Sequence, residues 1–382
     1  MARSFEHKVA LVRQADTTFA LAGVVKRTYT FTPALRAKLD VADVQVPLRE
    51  APLMDTQGPS ELFDDSDLLP QKVATDVVVM GHAHAPNGAK ETHISVAVGK
   101  MARRLSVIGK RLVEVGPDGT VRFTPTESFT RVPLSPRVAY GGYDVWAQAR
   151  LDPVPRVLAE STSKAMTGLY AYPRNHLGVG WFVDVDRFRA DGATLPQIED
   201  PSDPVLPEKL FVPSVKQWID APISASLGWV NHRNYPRMFR LVGSMVPYAP
   251  PANPIRESTF ADGKDLLDSW TPNGAGVHAR AFSGAAPGLA VEHLRGNELV
   301  ILENLHEKAG RIEFTLPNEW PMLTLKPPDV KAVEITAVMQ TLRIEPDENR
   351  ISITYCGVFP LMAPAMRSFI EKTELGVTWK KR

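Results

Sequence analysis

Two histidines, His82 and His84, follow an apolar run and lie between Gly81 and Pro86 in Thr75-Asp76-Val77-Val78-Val79-Met80-Gly81-His82-Ala83-His84-Ala85-Pro86. Residues two apart on a strand project from one face, so both imidazoles would point the same way, as two ligands of one metal ion do. His93 could approach them across a hairpin, and Asp76 is the nearest carboxylate; such a set would make a metal-dependent hydrolase. A metal site needs three or more protein ligands, and no nearby cysteine, HExxH pattern or spaced carboxylate set completes one. The pair therefore reads as structural histidines, hydrogen-bonded to the backbone or to Asp76, with Gly81 and Pro86 turning the chain at the end of a buried strand. No metal and no cofactor is expected.

Other chemistry-bearing groups have simple structural readings. Tyr140-Gly141-Gly142-Tyr143-Asp144, Gly178-Val179-Gly180 and Gly274-Ala275-Gly276 lack the strand-to-helix context and spacing of a phosphate loop, so they are read as turns with positive φ. Ser283-Gly284 is not a nucleophile elbow, and Cys356, the single cysteine, lies in a strand-like run without a basic activator and is read as buried. Glu199 and Asp200, with Asp203, could do acid-base work; no second catalytic group accompanies them, which favours a turn-capping role. Arg103, Arg104, Lys110 and Arg111 read as a solvated hairpin face, as does the basic end Lys380-Lys381-Arg382.

The elements that must position these residues are mostly strands. Lys8 to Arg13 and Thr18 to Phe31 read as a hairpin; Ala74 to Met80 is a short apolar run; His93 to Val98 and Met101 to Val115 alternate, with Gly116-Pro117-Asp118-Gly119 as a turn before Val121 to Thr124. Leu105, Val107 and Ile108 supply the buried side of that hairpin. From Asp152 to Pro254 prolines recur every few residues among Trp181, Trp218, Trp229, Phe211 and Tyr235, which predicts ordered irregular loops with short helices near Ser214 to Ile219 and Asn234 to Leu241. Strand patterns return at Leu289 to Leu294, Glu298 to Leu302, Arg311 to Leu316, Lys331 to Thr336, Val338 to Ile344 and Arg350 to Tyr355, and Pro360 to Thr373 has the spacing of a terminal helix.

The expected fold is mainly β: two antiparallel units, sandwich- or barrel-like, at 1–150 and 276–382, joined by a proline-rich region at 151–275 and closed by a C-terminal helix. The 382 residues suffice for one large or two moderate domains, and a formal charge of +1 removes the footprint of a nucleic-acid binder. The N-terminal apolar run, Val9 to Val12, is too short for a secretory segment or a membrane span, so a cytoplasmic protein is expected.

Taken in order, several motifs resemble the bacterial type VI secretion accessory family, long filed as a domain of unknown function. They are Asp76 with Gly81-His82-x-His84-x-Pro86, Tyr140-Gly141-Gly142-x-Asp144, Asn175-x-x-Gly178-x-Gly180-Trp181 and Leu195-Pro196-x-x-Glu199-Asp200-Pro201. The likeness continues through Phe282-x-x-Ala285-Ala286-Pro287, Leu294-x-Gly296-x-Glu298, Leu316-Pro317 and Asp347-Glu348. His176 stands where relatives usually have proline, and Tyr355-Cys356-Gly357 replaces a Trp-Arg-Gly pattern. The resemblance implies a non-enzymatic cytoplasmic adaptor or chaperone that binds a type VI secretion effector and helps load it onto a VgrG spike with a PAAR-type tip; members are encoded beside toxic effectors, so an effector gene beside this one is expected. It implies a structural or partner-binding role for the motif residues. A structural spike component is the further alternative.

Overall fold

A computed structural model describes residues 4–14, 18–54, 61–144, 172, 174–182, 187–211, 222–230, 282–362 and 367–381. The helices expected near 214–219 and 234–241, and the Gly274-Ala275-Gly276 turn, lie outside these residues.

The protein is mainly β, with several sheets, none of which closes into a barrel among the described residues. The largest sheet runs Glu6–Arg13, Phe19–Phe31, Arg350–Leu361, Ala337–Glu345, Thr75–Val79 and Ala290–Val291, with Leu39–Val41 also paired to Phe19–Phe31. The first hairpin is the one its β-branched and aromatic residues predict, with Arg13 opposite Phe19. The expectation of purely antiparallel sheets is corrected here: Thr75–Val79 pairs parallel with Ala337–Glu345, placing Asp76 opposite Thr341. That position explains the uninterrupted apolar run, since all five residues of Thr75–Val79 are buried.

A five-stranded sheet runs Ile198–Glu199, Met101–Ile108, Glu91–Val98, Leu299–Glu303 and Arg311–Thr315. Glu319–Lys326 pairs with both Val333–Ile335 and the last strand, Glu374–Lys381. The segments 1–150 and 276–382 thus share both large sheets.

One apolar core takes side chains from all three sheets, among them Leu21, Val25, Val77, Ile94, Leu105, Val300, Leu323 and Ile353. Phe19–Phe31 is buried on both faces, because Ala20, Ala22 and Val24 pack with Val12 and Cys356 in a second cluster. Cys356 is fully buried, which pushes its thiol pKa up to about 12; the nearby charge of Lys72 opposes this only in part. A third cluster, around Val113, Ala190, Leu195, Val205 and Leu210, joins the hairpin Val113–Val115/Val121–Phe123 to residues 187–211.

The terminal helix is shorter than its spacing suggests. Pro360 and Leu361 extend the Arg350–Leu361 strand against Ala20 and Phe19, the helix covers Arg367–Lys372 among the described residues, and a strand rather than a helix ends the fold. Pro86 does not turn the chain either. It lies within the strand His82–Ala89, at the irregularity where pairing with Phe129–Pro133 skips, and there its missing N–H breaks no ladder bond.

Candidate functional site

Three of the sequence motifs meet in one place. Tyr140-Gly141 pairs parallel with Val179-Gly180, the Trp181 N–H donates to the Gly141 carbonyl at 3.1 Å, and the Gly142 N–H donates to the Asn175 carbonyl at 2.9 Å. The buried Asn175 amide donates to the carbonyls of Pro136 (2.8 Å) and Tyr140 (3.1 Å), so one side chain ties 136–142 to 174–181. Gly141 has φ +147°, and a Cβ there would lie 2.1 Å from the Asn175 carbonyl oxygen; no larger residue fits. Gly178 backs onto Ala139 and Asn175. Asp144 is buried beside this junction in sequence. The third motif joins through the bridge from Ala139 to Ile198 and the Gln197 N–H on the Val138 carbonyl.

Tyr140 of the first motif and Ile198, Glu199 and Asp200 of the third line a cleft of about 520 Å³, and the second motif braces Tyr140 from behind without lining it. Tyr140, Tyr172 and Phe211 give it an aromatic side, and Pro222 to Ser226 face them. Tyr172 packs edge-on against both Tyr140 and Trp181, with ring centroids at 5.1 and 6.0 Å. Each phenol has an acceptor: Tyr140 donates to the Lys209 carbonyl, and Tyr172 to the Pro222 carbonyl at 2.8 Å. Burial raises both phenol pKa values well above the usual range, and the Asp203 charge adds to the effect at Tyr140. Both rings therefore stay neutral and fixed.

The two motif carboxylates of the cleft are also committed. Glu199 is buried, pairs with Arg111 and accepts the Val205 N–H at 2.9 Å. Asp200 pairs with Arg103 at 2.8 Å and caps its own turn by accepting from the Ser202 N–H and hydroxyl at 2.9 and 2.6 Å. Burial works to raise the Asp200 pKa, but the Ser202 and Arg103 hydrogen bonds outweigh it and hold the carboxyl below its ordinary value. Pro201 is exposed in the turn closed by the Asp203 N–H on the Asp200 carbonyl. The capping role expected of Asp200 is what the geometry gives. Arg103 and Arg111 are not the freely solvated face expected of them; they neutralise the two motif carboxylates across neighbouring strands, a pairing that nothing in local sequence announces.

The histidine motif lies elsewhere and finds a different partner. His82 Nδ1 is 2.7 Å from one oxygen of Asp347, and His84 Nε2 is 2.9 Å from the other. A carboxylate only accepts, so His84 Nε2 carries the proton of its bond, whereas His82 Nδ1 also lies 2.9 Å from the Arg131 guanidinium, which only donates. Arg131 approaches the same carboxylate at 3.6 Å. Gly81, at φ +142°, leaves room for it, because a Cβ there would meet an Asp347 oxygen at 3.0 Å. Asp76, the partner expected for the histidines, is instead buried with Lys72 Nζ at 2.6 Å and the Gly284 N–H at 2.8 Å. It thereby anchors the loop 282–287, whose Pro287 reaches the cleft. His93 stands apart with the Ser106 hydroxyl at 3.2 Å, and among the described residues no three His, Cys, Asp or Glu side chains gather as a metal-binding group.

Sequence reasoning missed Tyr172, Arg111 and Lys72 as supporting residues. Lys72 alone had a local signal, its spacing of four from Asp76.

Residues 17–356 match the model of a family described as an uncharacterized protein conserved in bacteria (DUF2169). No curated protein and no solved structure matches the chain.

Proposed function

This chain belongs to that family of uncharacterized bacterial proteins, and from that premise we propose that it is a cytoplasmic adaptor or chaperone, not an enzyme, that binds a type VI secretion effector and assists its loading onto a VgrG/PAAR spike. The cleft is the surface we assign to that binding.

The observation that carries this reading is that Tyr140, Glu199 and Asp200, from two motifs far apart in sequence and braced by Asn175 of a third, line one cleft with side chains already engaged within the protein. Asn175, Tyr140, Glu199 and Asp200 each hold backbone or a counter-charge. A general base or nucleophile needs a group free to exchange a proton with substrate. These residues instead stiffen a recess with an aromatic wall, the form of a preorganised binding site. The histidine motif lies outside the cleft, each ring tied to Asp347 through one nitrogen. No helix among the described residues is long and apolar enough to cross a membrane.

Deletion of the gene, followed by assay of the effector encoded beside it in the culture medium, tests the proposal. Loss of that effector from the medium, restored by the wild-type gene, is the expected result. Undiminished secretion in the deletion strain overturns it.

A further inference from the structure

The wall facing the aromatic rings is a stretch of main chain with unspent hydrogen-bonding capacity. Residues 222–226 form no helix or strand, and they are pinned at two points: the Pro222 carbonyl accepts from Tyr172, and the Ser224 hydroxyl donates to the Tyr140 carbonyl. Immediately beyond, the chain is fully engaged. The Leu227 carbonyl accepts from the Val79 N–H at 2.9 Å, and the Val230 N–H donates to the Gly284 carbonyl at 2.9 Å. Between these anchors Ile223, Ser224 and Ala225 make no main-chain hydrogen bond among the described residues, although all three are half-buried and line the cleft. Half-buried peptide groups seek partners, and the ligand that supplies donors and acceptors along one line is another peptide backbone.

Charge narrows the choice. Of the four carboxylates lining the cleft, Glu199 is neutralised by Arg111, Asp200 by Arg103 and Asp203 by Lys209. Glu208, exposed at the rim, has no ion-pair partner among the described residues. A cation entering there meets an unopposed negative charge, and the cleft lined by Tyr140, Phe211 and Ile223 suits the aliphatic stem of lysine or arginine. The volume, about 520 Å³, lies within the roughly 300–1,000 Å³ typical of sites that enclose a ligand.

We infer that the cleft takes an extended segment of a partner polypeptide, its main chain bonded along residues 223–225 and a basic side chain directed to Glu208. The inference deepens the adaptor reading and rests on the assignment of binding to this cleft.

The test uses the full chain and two arrays of short peptides. One array tiles the effector encoded beside the gene; the other holds unrelated peptides matched for length and divided into basic, neutral and acidic sets. The peptides retained should be basic. Glu208→Lys should weaken the best of them about fivefold, as loss and reversal of a rim charge does. N-methylation of alternate peptide bonds in that ligand, which leaves the protein untouched, should weaken it about tenfold by removing main-chain donors. Preference for acidic peptides, indifference to both changes, or retention of no peptide overturns the inference. Binding of basic unrelated peptides with both signatures, and of no effector peptide, upholds the cleft chemistry and sinks the adaptor reading. Capture of the folded effector by a protein that retains no peptide does the reverse.

Discussion

The side-chain amide of Asn175 donates a hydrogen bond to the main-chain carbonyl of Tyr140 at 3.1 Å, across 35 residues of sequence. With its second bond to Pro136, this contact fixes the backbone from which the Tyr140 ring projects into the cleft. Asn175→Ala should cost about 1–3 kcal/mol, because two largely buried carbonyls lose their donor. Urea unfolding measures this. A variant as stable as the wild type would mean that water replaces the amide without loss.

Gly141 and Gly192 make a matched pair for separating space from backbone conformation. Both have positive φ, but a Cβ at Gly192 meets nothing within 4 Å, whereas at Gly141 it would lie 2.1 Å from a carbonyl oxygen. Gly192→Ala should cost only the conformational term, about 1–2 kcal/mol. Gly141→Ala should cost more and should also loosen the Tyr140 to Tyr172 contact, read as changed tyrosine fluorescence or near-ultraviolet dichroism. Equal losses would contradict the close approach described for Gly141.

Lys72 and Asp76 form an ion pair that is almost wholly buried, with side-chain exposures of 2% and 0%. Removing one partner leaves a buried charge, so Lys72→Met or Asp76→Leu alone should destabilise by about 3–5 kcal/mol. The double variant should recover much of that, since neither charge then remains. Chemical denaturation of the three variants completes the cycle. Additive losses would show that the pair is not coupled.

Asp347 links stability to pH. Burial pushes its pKa up, but hydrogen bonds from His82 and His84, and their charges, more than offset this and hold it below the ordinary value. A carboxyl with a depressed folded pKa adds stability above its unfolded pKa, about 4, and loses it as pH falls through the folded value. The stability gap between wild type and Asp347→Asn should therefore be widest above about pH 4 and close as acid is added below it. Arg131 and His306, which also face this carboxylate, are unchanged in both proteins. A gap that stays constant to low pH would contradict the linkage.

What the sequence disclosed follows the range of each interaction. The β-branched and aromatic content of Phe19–Phe31 and the alternation within Glu91–Val98 and Met101–Ile108 are local and readable, as is the burial of Cys356. The fate of Asp347 is not: it stands out only in the Asp347-Glu348 pair of the resemblance, and its histidines lie more than 260 residues away, carried to it by a parallel pairing that no local pattern encodes. Pro86 misled because a proline in an apolar-polar run reads as a break, and only the interrupted ladder of His82–Ala89 makes it tolerable. At 360–373 helical spacing covered two elements, the end of a long strand and a helix of six residues. The cleft itself was legible only as separated motifs, because Arg103 and Arg111 read as surface charge until strand pairing sets them against Asp200 and Glu199.

The account turns on whether this protein holds an effector. Co-expression with a type VI effector of the same genome, then size-exclusion chromatography of the purified protein, measures this directly. We predict a stoichiometric complex that keeps the effector soluble and that is lost with Ile223→Asp, which places an unpaired carboxylate in the cleft. Separate elution of the two proteins, with the effector equally soluble on its own, would contradict it.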